Sequence, residues 1–374
     1  MVIQADLALS FLERLGQQPA VAFHEDGVAW SVQSILREIL GSSGEAPTVD
    51  SYGNIIAKVP GSVPRATPMA LVAHMDHPGF EAVGSQGDFV VATALGGIPS
   101  GAFAEGVPVQ VILEDGGQLR GTVAGRHGQE SDRQVLVSLE QPQTLEFPRP
   151  VVFDLPSFKI ENDLIRMRAA DDLAGCASIL AALASLAGSD GASRQAGDVY
   201  GVFTRAEEVG LVGARLLAEE GTLPPDTLVV SVESSRTLPG AEMGSGPVIR
   251  VGDAGSTFDA DAEAALIKGR ETLHQRPEGF NCQRQLMSGG VCEASAFALH
   301  GYKTTGLAFP LGNYHNGAPD DTIDAEYIHK ADFIGGVELM VEAAKQVVNR
   351  DTINFRRRIG PVSKEFRNRL KRDG

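Results

Sequence analysis

The order of apolar and polar positions predicts a chain that alternates helices with strands. Apolar residues recur at helical spacing in "LALSFLERLG" and again from Val28 to Ile39, and a glycine follows each run. This spacing predicts two amphipathic helices near the N-terminus. "TVDSYGNIIAKV" is then expected to form a hairpin that turns at Gly53 and Asn54, and "MALVAH" is expected to form a buried strand.

The pattern changes after Gly79. Up to about Ile165, the chain contains short alternating segments such as "VPVQVILEDGGQLRGTVAG", with frequent proline and glycine and no helical periodicity. Short strands separated by turn residues are typical of a small β-barrel or sandwich. We therefore assign residues 79–165 to an inserted β lid domain.

After this insertion, helices and strands alternate again. "DDLAGCASILAALASLA", "GLVGARLLAEEG" and "ADFIGGVELMVEAAKQVV" are predicted helices, and "DVYGVFT", "DTLVVSV" and "YKTTGLAFP" are predicted strands, whereas residues 236–300 fit no clear pattern. Such alternation predicts an α/β fold with a mostly parallel or mixed sheet between two helix layers. We assign residues 1–78 and 166–349 to this domain. Residues 350–374 are a strongly basic C-terminal tail, interpreted as a solvated helix or a subunit contact.

Composition and charge narrow the range of partners. The 374 residues are 43% hydrophobic and 21% charged, which is ordinary for a globular protein with a large core. A formal net charge of -16 argues against nucleic acid as a partner. No apolar run approaches the roughly 20 residues that span a membrane, so we predict no membrane partner.

Cellular location is predicted from the N-terminus and the cysteines. No basic stretch followed by a long apolar run is visible at the N-terminus, which argues against a signal peptide. The cysteines are Cys176, Cys282 and Cys292, an odd number without CxxC spacing. This pattern does not suggest a disulfide framework and favours a reducing cytoplasm.

Histidines and carboxylates follow the predicted strands. The residues concerned are His74, Asp76, Asp171, Glu207, Glu208, Glu233 and His315. In an open α/β sheet, ligands bind in the crevice beyond the carboxyl ends of the strands. Two imidazoles and several carboxylates form a mixed nitrogen and oxygen donor set that suits zinc, cobalt or manganese. The set is too large for one tetrahedral ion and about right for two ions that share a carboxylate.

His74 and Asp76 illustrate why the pattern matters more than any single residue. Residues i and i+2 of a strand point to the same face, so the two side chains are expected to lie side by side. Alone, His74 could be a buried structural histidine, and Glu207 with Glu208 could be the solvated start of a helix. Their joint occurrence at successive strand ends favours a metal site.

The same motifs resemble a known family. "AHMDHPGF", "RAADDLAGC", "TRAEEVGLVGA" and "LGNYHN" occur in this order. Together with "VDSYGNIIAKVPG", they resemble the glutamyl- and tetrahedral-aminopeptidase family of two-zinc peptidases over nearly the whole chain except the tail. The all-β insertion between Asp76 and Asp171 also lies where this family has one. The related carboxypeptidase and deacylase branch instead has a later α/β insertion. The resemblance implies a three-layer αβα fold of the zinc-peptidase type and a homo-oligomer.

The resemblance also implies a role for each candidate residue. Five residues would bind two divalent ions, zinc in the first place and cobalt or manganese as alternatives: His74, Asp171, Glu208, Glu233 and His315. Asp171 would bridge the two ions, and Asp76 would orient His74. Glu207 would remain off the metals and act as general base and then general acid.

Some residues depart from the family pattern. The family usually has aspartate where Glu233 stands, and glutamate is more typical of the deacylase and carboxypeptidase branch. Leu173 occupies the place of the family's arginine after the aspartate pair. Glu293 lies near a position where the family often has aspartate and is a candidate contact for the substrate amine, and His77 is a candidate site-lining residue.

Several functions remain open on these grounds. We interpret the protein as a metal-dependent aminopeptidase that acts on peptides, with a metal-dependent deacylase acting on N-acyl amino acids or small amides as the rival. A glycosidase with paired carboxylates would have no use for His74 and His315. A non-catalytic metal-binding scaffold is disfavoured because every ligand position and the base are present.

Overall fold

The structure is a computed structural model that describes residues 5–41, 46–191, 194–360 and 362–372. The strands within these ranges are β1 (Thr48–Val49), β2 (Ile55–Val59), β3 (Met69–His74), β4 (Gly79–Gln86), β5 (Phe89–Leu95), β6 (Pro108–Ile112), β7 (Gln118–His127), β8 (Gln134–Leu139), β9 (Arg149–Phe153), β10 (Lys159–Glu161), β11 (Leu164–Met167), β12 (Val199–Thr204), β13 (Leu228–Arg236), β14 (Val248–Arg250), β15 (Gln283–Gln285), β16 (Lys303–Gly312) and β17 (Glu326–His329). The α-helices are α1 (Ala5–Gly16), α2 (Asp26–Leu40), α3 (Ala170–Ala187), α4 (Val212–Glu219), α5 (Ala260–Leu273), α6 (Glu293–Leu299), α7 (Lys330–Gln346), α8 (Asn354–Arg358) and α9 (Lys364–Leu370).

A large mixed sheet carries the predicted site. Its strand order is β1-β2-β12-β3-β13-β16-β17-β11-β10, and β14 pairs with β15 and β16. The central pairs β12–β3, β3–β13 and β13–β16 are parallel, whereas β2–β12, β16–β17 and β11–β17 are antiparallel. Four parallel strands therefore end at the same edge of the sheet.

Helices cover both faces of this sheet. In β3, Leu71 and Ala73 pack into the core shared with α1, α2, α3, α5 and α7. Ala70 and Val72 point to the other side and pack with residues of α4 and α6. A strand buried on both faces has an uninterrupted apolar sequence, which explains the run "MALVA". The predicted three-layer α/β architecture is confirmed.

The inserted segment forms a closed antiparallel barrel of six strands in the order β4-β5-β8-β7-β6-β9. Phe80 lies in its core, in edge-to-face contact with Phe103 and Phe153 at centroid distances of 5.8 and 5.9 Å. The predicted barrel is confirmed, but its predicted end at 165 is too late. β10 and β11 belong to the large sheet, because β11 pairs with β17. A short hairpin carries no local pattern that decides which sheet it joins.

Three other segments complete the molecule. α3 is long and apolar enough by composition to cross a membrane, yet most of it is buried in the protein core. The segment that fitted no sequence pattern forms β14, α5, β15 and α6. The basic tail forms the short exposed helices α8 and α9, and it is attached to the body by Arg350 and Arg356, which both form ion pairs with Asp261.

Candidate metal centre

The carboxyl edge of the parallel strands brings the predicted ligands together. His74 is the last residue of β3, Glu233 lies within β13, and Glu208 and His315 follow β12 and β16. Asp171 lies at the start of α3, where its backbone is not yet helical. His74, Asp171, Glu233 and His315 are all buried.

Asp171 lies between the two imidazoles. Its Oδ1 is 3.4 Å from Nε2 of His74, and its Oδ2 is 3.8 Å from Nε2 of His315. Nε2 of His315 is also 3.3 Å from Oε1 of Glu208. One carboxylate with an oxygen toward each imidazole is the arrangement expected of a bridging ligand between two ions.

The donor atoms fall into two overlapping groups. Atoms of His74, Asp171 and Glu208 lie within 4.8 Å of one another, and so do atoms of His74, Glu207 and Glu233. Glu207 is therefore close enough to be a ligand itself, with Oε2 3.9 Å from Nε2 of His74. The geometry assembles all the predicted residues, and the division between general base and ligands remains a prediction.

Unsatisfied oxygens indicate that the cluster is built for cations. Among the described residues, Oδ1 of Asp171, Oδ2 of Asp172 and Oε1 of Glu233 are buried without a hydrogen-bond partner. Burying a carboxylate oxygen without a partner is costly. Divalent ions held by the Asp171 and Glu233 oxygens and the two imidazoles would remove that cost for these two carboxylates, and the mixed donor set suits zinc, cobalt or manganese. The residues present therefore fit a metal centre.

The pKa shifts of the carboxyl and imidazole groups also indicate a cation-binding cluster. Burial raises the pKa of Glu207 well above its usual range, and it does the same to the pKa of Glu233. Burial alone would lower the pKa of His74, but Glu207, Asp171 and Asp76 outweigh it and raise the pKa of the imidazole well above its usual value. The cluster thus has an excess of negative charge that protons must balance when no cations are bound.

Asp76 holds the backbone of Glu207 and Glu208 as well as the imidazole of His74. Nδ1 of His74 donates to the backbone oxygen of Asp76 at 3.0 Å, and the carboxylate of Asp76 is 3.6 Å from the same nitrogen. This bond leaves Nε2 of His74 free to face Asp171. The Asp76 carboxylate itself accepts the backbone N–H groups of Glu207 and Glu208 at 2.8 and 3.0 Å. Asp76 therefore links the two strand ends that carry these residues.

The barrel contributes directly to the centre. Nδ1 of His315 donates to the backbone oxygen of Gly97 at 2.7 Å, which turns Nε2 toward Asp171 and Glu208. A Cβ atom on Gly97 would lie 2.9 Å from Nδ1 of His315, and one on Gly96 would lie 3.1 Å from Cβ of Glu208. The Gly96-Gly97 turn, which follows β5, thus packs against two predicted ligands.

Sequence reasoning missed a supporting carboxylate. Glu326 is fully buried in β17 and accepts the backbone N–H groups of Asp171 at 2.9 Å and His315 at 2.7 Å. His77 is hydrogen-bonded to the backbone oxygen of Asp171 and to Oδ1 of Asn316. It therefore holds the Asp171 main chain instead of lining the site. Glu326 lies in the polar segment "DDTIDAEYIH", where several other carboxylates occur and no motif distinguishes it.

Glu293 is not in contact with the space above the centre. It is fully buried, and its two oxygens accept the hydroxyl groups of Thr204 at 3.3 Å and Ser231 at 2.8 Å. The expectation that it contacts a substrate amine is not supported. It lies beneath the site, where its charge raises the pKa of Glu233 in addition to burial.

A cavity of about 570 Å³ opens above the centre. One part is lined by the carboxylates Glu207, Glu208 and Glu233, and the lining continues to the buried Arg250 and the apolar Leu299. Leu299 is 82% exposed at this opening. The cavity thus offers both charged and apolar surface to a small molecule or to a chain end.

Comparisons with known proteins agree with this architecture. A family model described as M42 glutamyl aminopeptidase matches residues 53–333. The match contains every predicted ligand and the whole barrel, and it ends before the basic tail. A comparison with curated proteins found no match.

Solved structures show the same fold. An aminopeptidase from the archaeon Desulfurococcus kamchatkensis has a TM-score of 0.75 at 21% identity, covering 96% of this chain and 99% of that chain. The TET1 peptidase of Pyrococcus horikoshii, which can assemble into a tetrahedron or a large octahedral shell, has a TM-score of 0.72 at 22% identity, covering 90% and 99%. A TET aminopeptidase from a marine-sediment Thaumarchaeota archaeon has a TM-score of 0.76 at 18% identity, covering 92% and 99%.

Proposed function

The chain belongs to the M42 glutamyl aminopeptidase family of metallopeptidases, and from this premise we propose that it removes N-terminal residues from peptides with two divalent ions and Glu207 as general base. The observation that carries the proposal is the position of Asp171. Its carboxylate lies between the imidazoles of His74 and His315, with Oδ1 free of any other partner.

Two ligand sets share Asp171 in this proposal. His74 and Glu233 would complete one site, and Glu208 and His315 the other. When bound, the two ions would lower the pKa of a coordinated water to about 7 and stabilise the oxyanion of the tetrahedral intermediate. Zinc is the first candidate, and cobalt and manganese suit the same donors.

The proton transfers belong to Glu207. Its carboxylate would take a proton from the attacking water as the new C–O bond forms, and it would return that proton to the nitrogen of the leaving amine as the peptide C–N bond breaks. Burial already raises the pKa of this carboxyl group well above its usual range. A carboxylate with a raised pKa is suited to accepting a proton and then donating it.

We propose a free amino terminus on the substrate. The support is the match to an aminopeptidase family and the net charge of -16, because the carboxylates that line the cavity are assigned here to the ions and to the proton transfers. Glu233 is the residue that favours the alternative, a deacylase acting on N-acyl amino acids or small amides, because the family usually has aspartate there.

A substrate panel tests this function. Purified protein would be loaded with zinc, cobalt or manganese and assayed on matched aminoacyl and N-acetyl-aminoacyl amides, with and without a chelator. We expect chelator-sensitive cleavage of the free-amine substrates and close to two ions per chain by elemental analysis. Faster cleavage of the N-acetylated series would establish the deacylase instead. Activity that survives complete metal removal would refute both.

We also propose that the protein is a homo-oligomer, with the barrel near the subunit contacts. The support is the assembly reported for the structurally similar Pyrococcus horikoshii peptidase. Multi-angle light scattering at micromolar concentration should give a mass several times the 39.5 kDa of one chain. A monomer would reject the proposal.

A further inference from the structure

The turn that presents Glu207 and Glu208 is held by side chains from distant parts of the chain. Four consecutive backbone N–H groups, from residues 205 to 208, each donate to a side-chain oxygen instead of a main-chain carbonyl. The acceptors are Asn54 for Arg205 at 3.1 Å, Glu25 for Ala206 at 2.9 Å, and Asp76 for Glu207 and Glu208 at 2.8 and 3.0 Å. Most hydrogen bonds of backbone amides go to other backbone groups, so this arrangement is unusual.

The turn needs this support because of its conformation. Ala206 has a φ of 53°, in the left-handed region that is unfavourable for residues with a Cβ atom. Such a conformation persists where surrounding contacts hold it. The hydrogen bond from the Ala206 N–H to Oε1 of Glu25 holds the backbone at this left-handed residue.

Glu25 forms an ion pair with Arg205. It is fully buried directly before α2, and its Oε1 also accepts the backbone N–H of Phe23 at 3.0 Å. Its Oε2 accepts Nε of Arg205 at 2.8 Å and lies 2.7 Å from Nη2 of the same residue. The guanidinium of Arg205 also donates to the backbone oxygen of Phe23 at 3.0 Å. Glu25 thus binds both the backbone of the turn and the side chain at its start.

We propose that Glu25 is a positioning residue that fixes Glu207 and Glu208 in the site through the backbone of Ala206. Glu25 does not line the cavity and belongs to neither group of candidate ligand atoms. The role of Glu207 as base rests on the function proposed above, whereas the placement of Glu208 beside His315 is a property of the chain.

The expected effect follows from the geometry. Without the Glu25 carboxylate, Ala206 can leave the left-handed region, and such a rotation moves both following side chains. Replacement of residues that orient metal ligands typically lowers metal affinity or activity by 10–100-fold. A shift of the base should lower kcat with little change in KM, and a shift of Glu208 should weaken metal binding.

The test compares Glu25→Gln with a matched control. The variant keeps the shape of the side chain, but its NH2 group must face either the Arg205 guanidinium or the N–H groups of Phe23 and Ala206, so one of the two sets of contacts is lost. Glu263→Gln is the control, because Glu263 is also a mostly buried carboxylate that accepts two hydrogen bonds from one arginine, Arg284, and it does not line the cavity. Both variants would be measured for kcat, KM, melting temperature and cobalt affinity by visible absorption of the bound ion.

We expect Glu25→Gln to lower kcat and cobalt affinity by 10–100-fold, and Glu263→Gln to change neither. A folded Glu25→Gln protein with wild-type kcat and cobalt affinity would overturn the proposal. So would equal losses in the control. If Glu25→Gln does not fold, Glu25→Asp gives the same decision, because the shorter side chain keeps the charge but cannot reach both the Ala206 N–H and the Arg205 guanidinium. A wild-type protein inactive on every peptide would refute the proposed function, while the cobalt titration would still test Glu25.

Discussion

Replacing Gly97, which belongs to the inserted domain, by alanine should lower the metal affinity of the centre. The backbone of Gly97 lies outside the left-handed region, so alanine meets no left-handed strain there. The added Cβ atom, however, would lie 2.9 Å from Nδ1 and 3.0 Å from Cε1 of His315. The substitution therefore acts on one predicted ligand and on little else.

The size of the effect follows from these distances. Ordinary contacts between heavy atoms lie near 3.5–4.0 Å, so the imidazole or the turn must move by roughly 0.5–1 Å. If the ring moves, Nε2 leaves its place beside Asp171 and Glu208, and metal-to-ligand distances tolerate only about 0.2 Å. If the turn moves, the hydrogen bond of 2.7 Å from Nδ1 to the Gly97 oxygen is lost. Either outcome should lower the affinity for one of the two ions by about 10–100-fold.

Isothermal titration with zinc or cobalt, followed by kcat measurements at limiting metal, would quantify this change. Gly84→Ala is the matched control, because it lies in the same barrel, outside the left-handed region, with no atom within 4 Å of the added carbon. We expect Gly84→Ala to bind metal as the wild type does. Wild-type affinity and activity in Gly97→Ala would show that the turn does not position His315, and equal losses in both variants would point to general damage to the barrel.

Three further predictions concern the centre itself. Glu207→Gln should retain metal while kcat falls roughly 10²–10⁴-fold. Glu208→Gln should lose metal first, and its activity should recover in part with excess metal. The opposite result would exchange the roles of the two residues. Complete chelation should abolish activity and lower the melting temperature, because an ion that binds only the native state stabilises it; an unchanged melting temperature would argue against a buried centre. Glu233→Asp restores the residue usual in the family and should keep metal binding while raising the ratio of free-amine to N-acetyl cleavage; a lower ratio would contradict the assigned specificity.

The strand ends were predictable because their signals are local. An apolar run such as "MALVA" identifies a strand buried on both faces, and the polar residue that follows marks its end. Parallel strands open at one edge, so His74, Glu208 and His315 could be expected to meet before any contact was known. The barrel was predictable for the same reason, since its alternation and turn residues differ from those on either side.

The residues that hold the predicted ligands in place through hydrogen bonds were not predictable in this way. Glu25, Glu326 and Gly97 each act through a hydrogen bond to a group far away in the chain, and each lies in a segment with no motif around it. The hairpin of β10 and β11 joined the large sheet instead of the barrel because of its pairing with β17, which no periodicity encodes.

The sequence by itself determined the α/β class, the inserted barrel, the set of candidate ligands and the resemblance that orders them, because these depend on periodicity and on residues adjacent to strand ends. The tertiary structure decided which groups hold those ligands in place. It placed the Gly97 oxygen on His315, the Glu326 carboxylate beneath Asp171 and His315, and Glu25 on the backbone before Glu207. The physical reason is that a single buried hydrogen bond between distant segments depends on the packing of the whole domain.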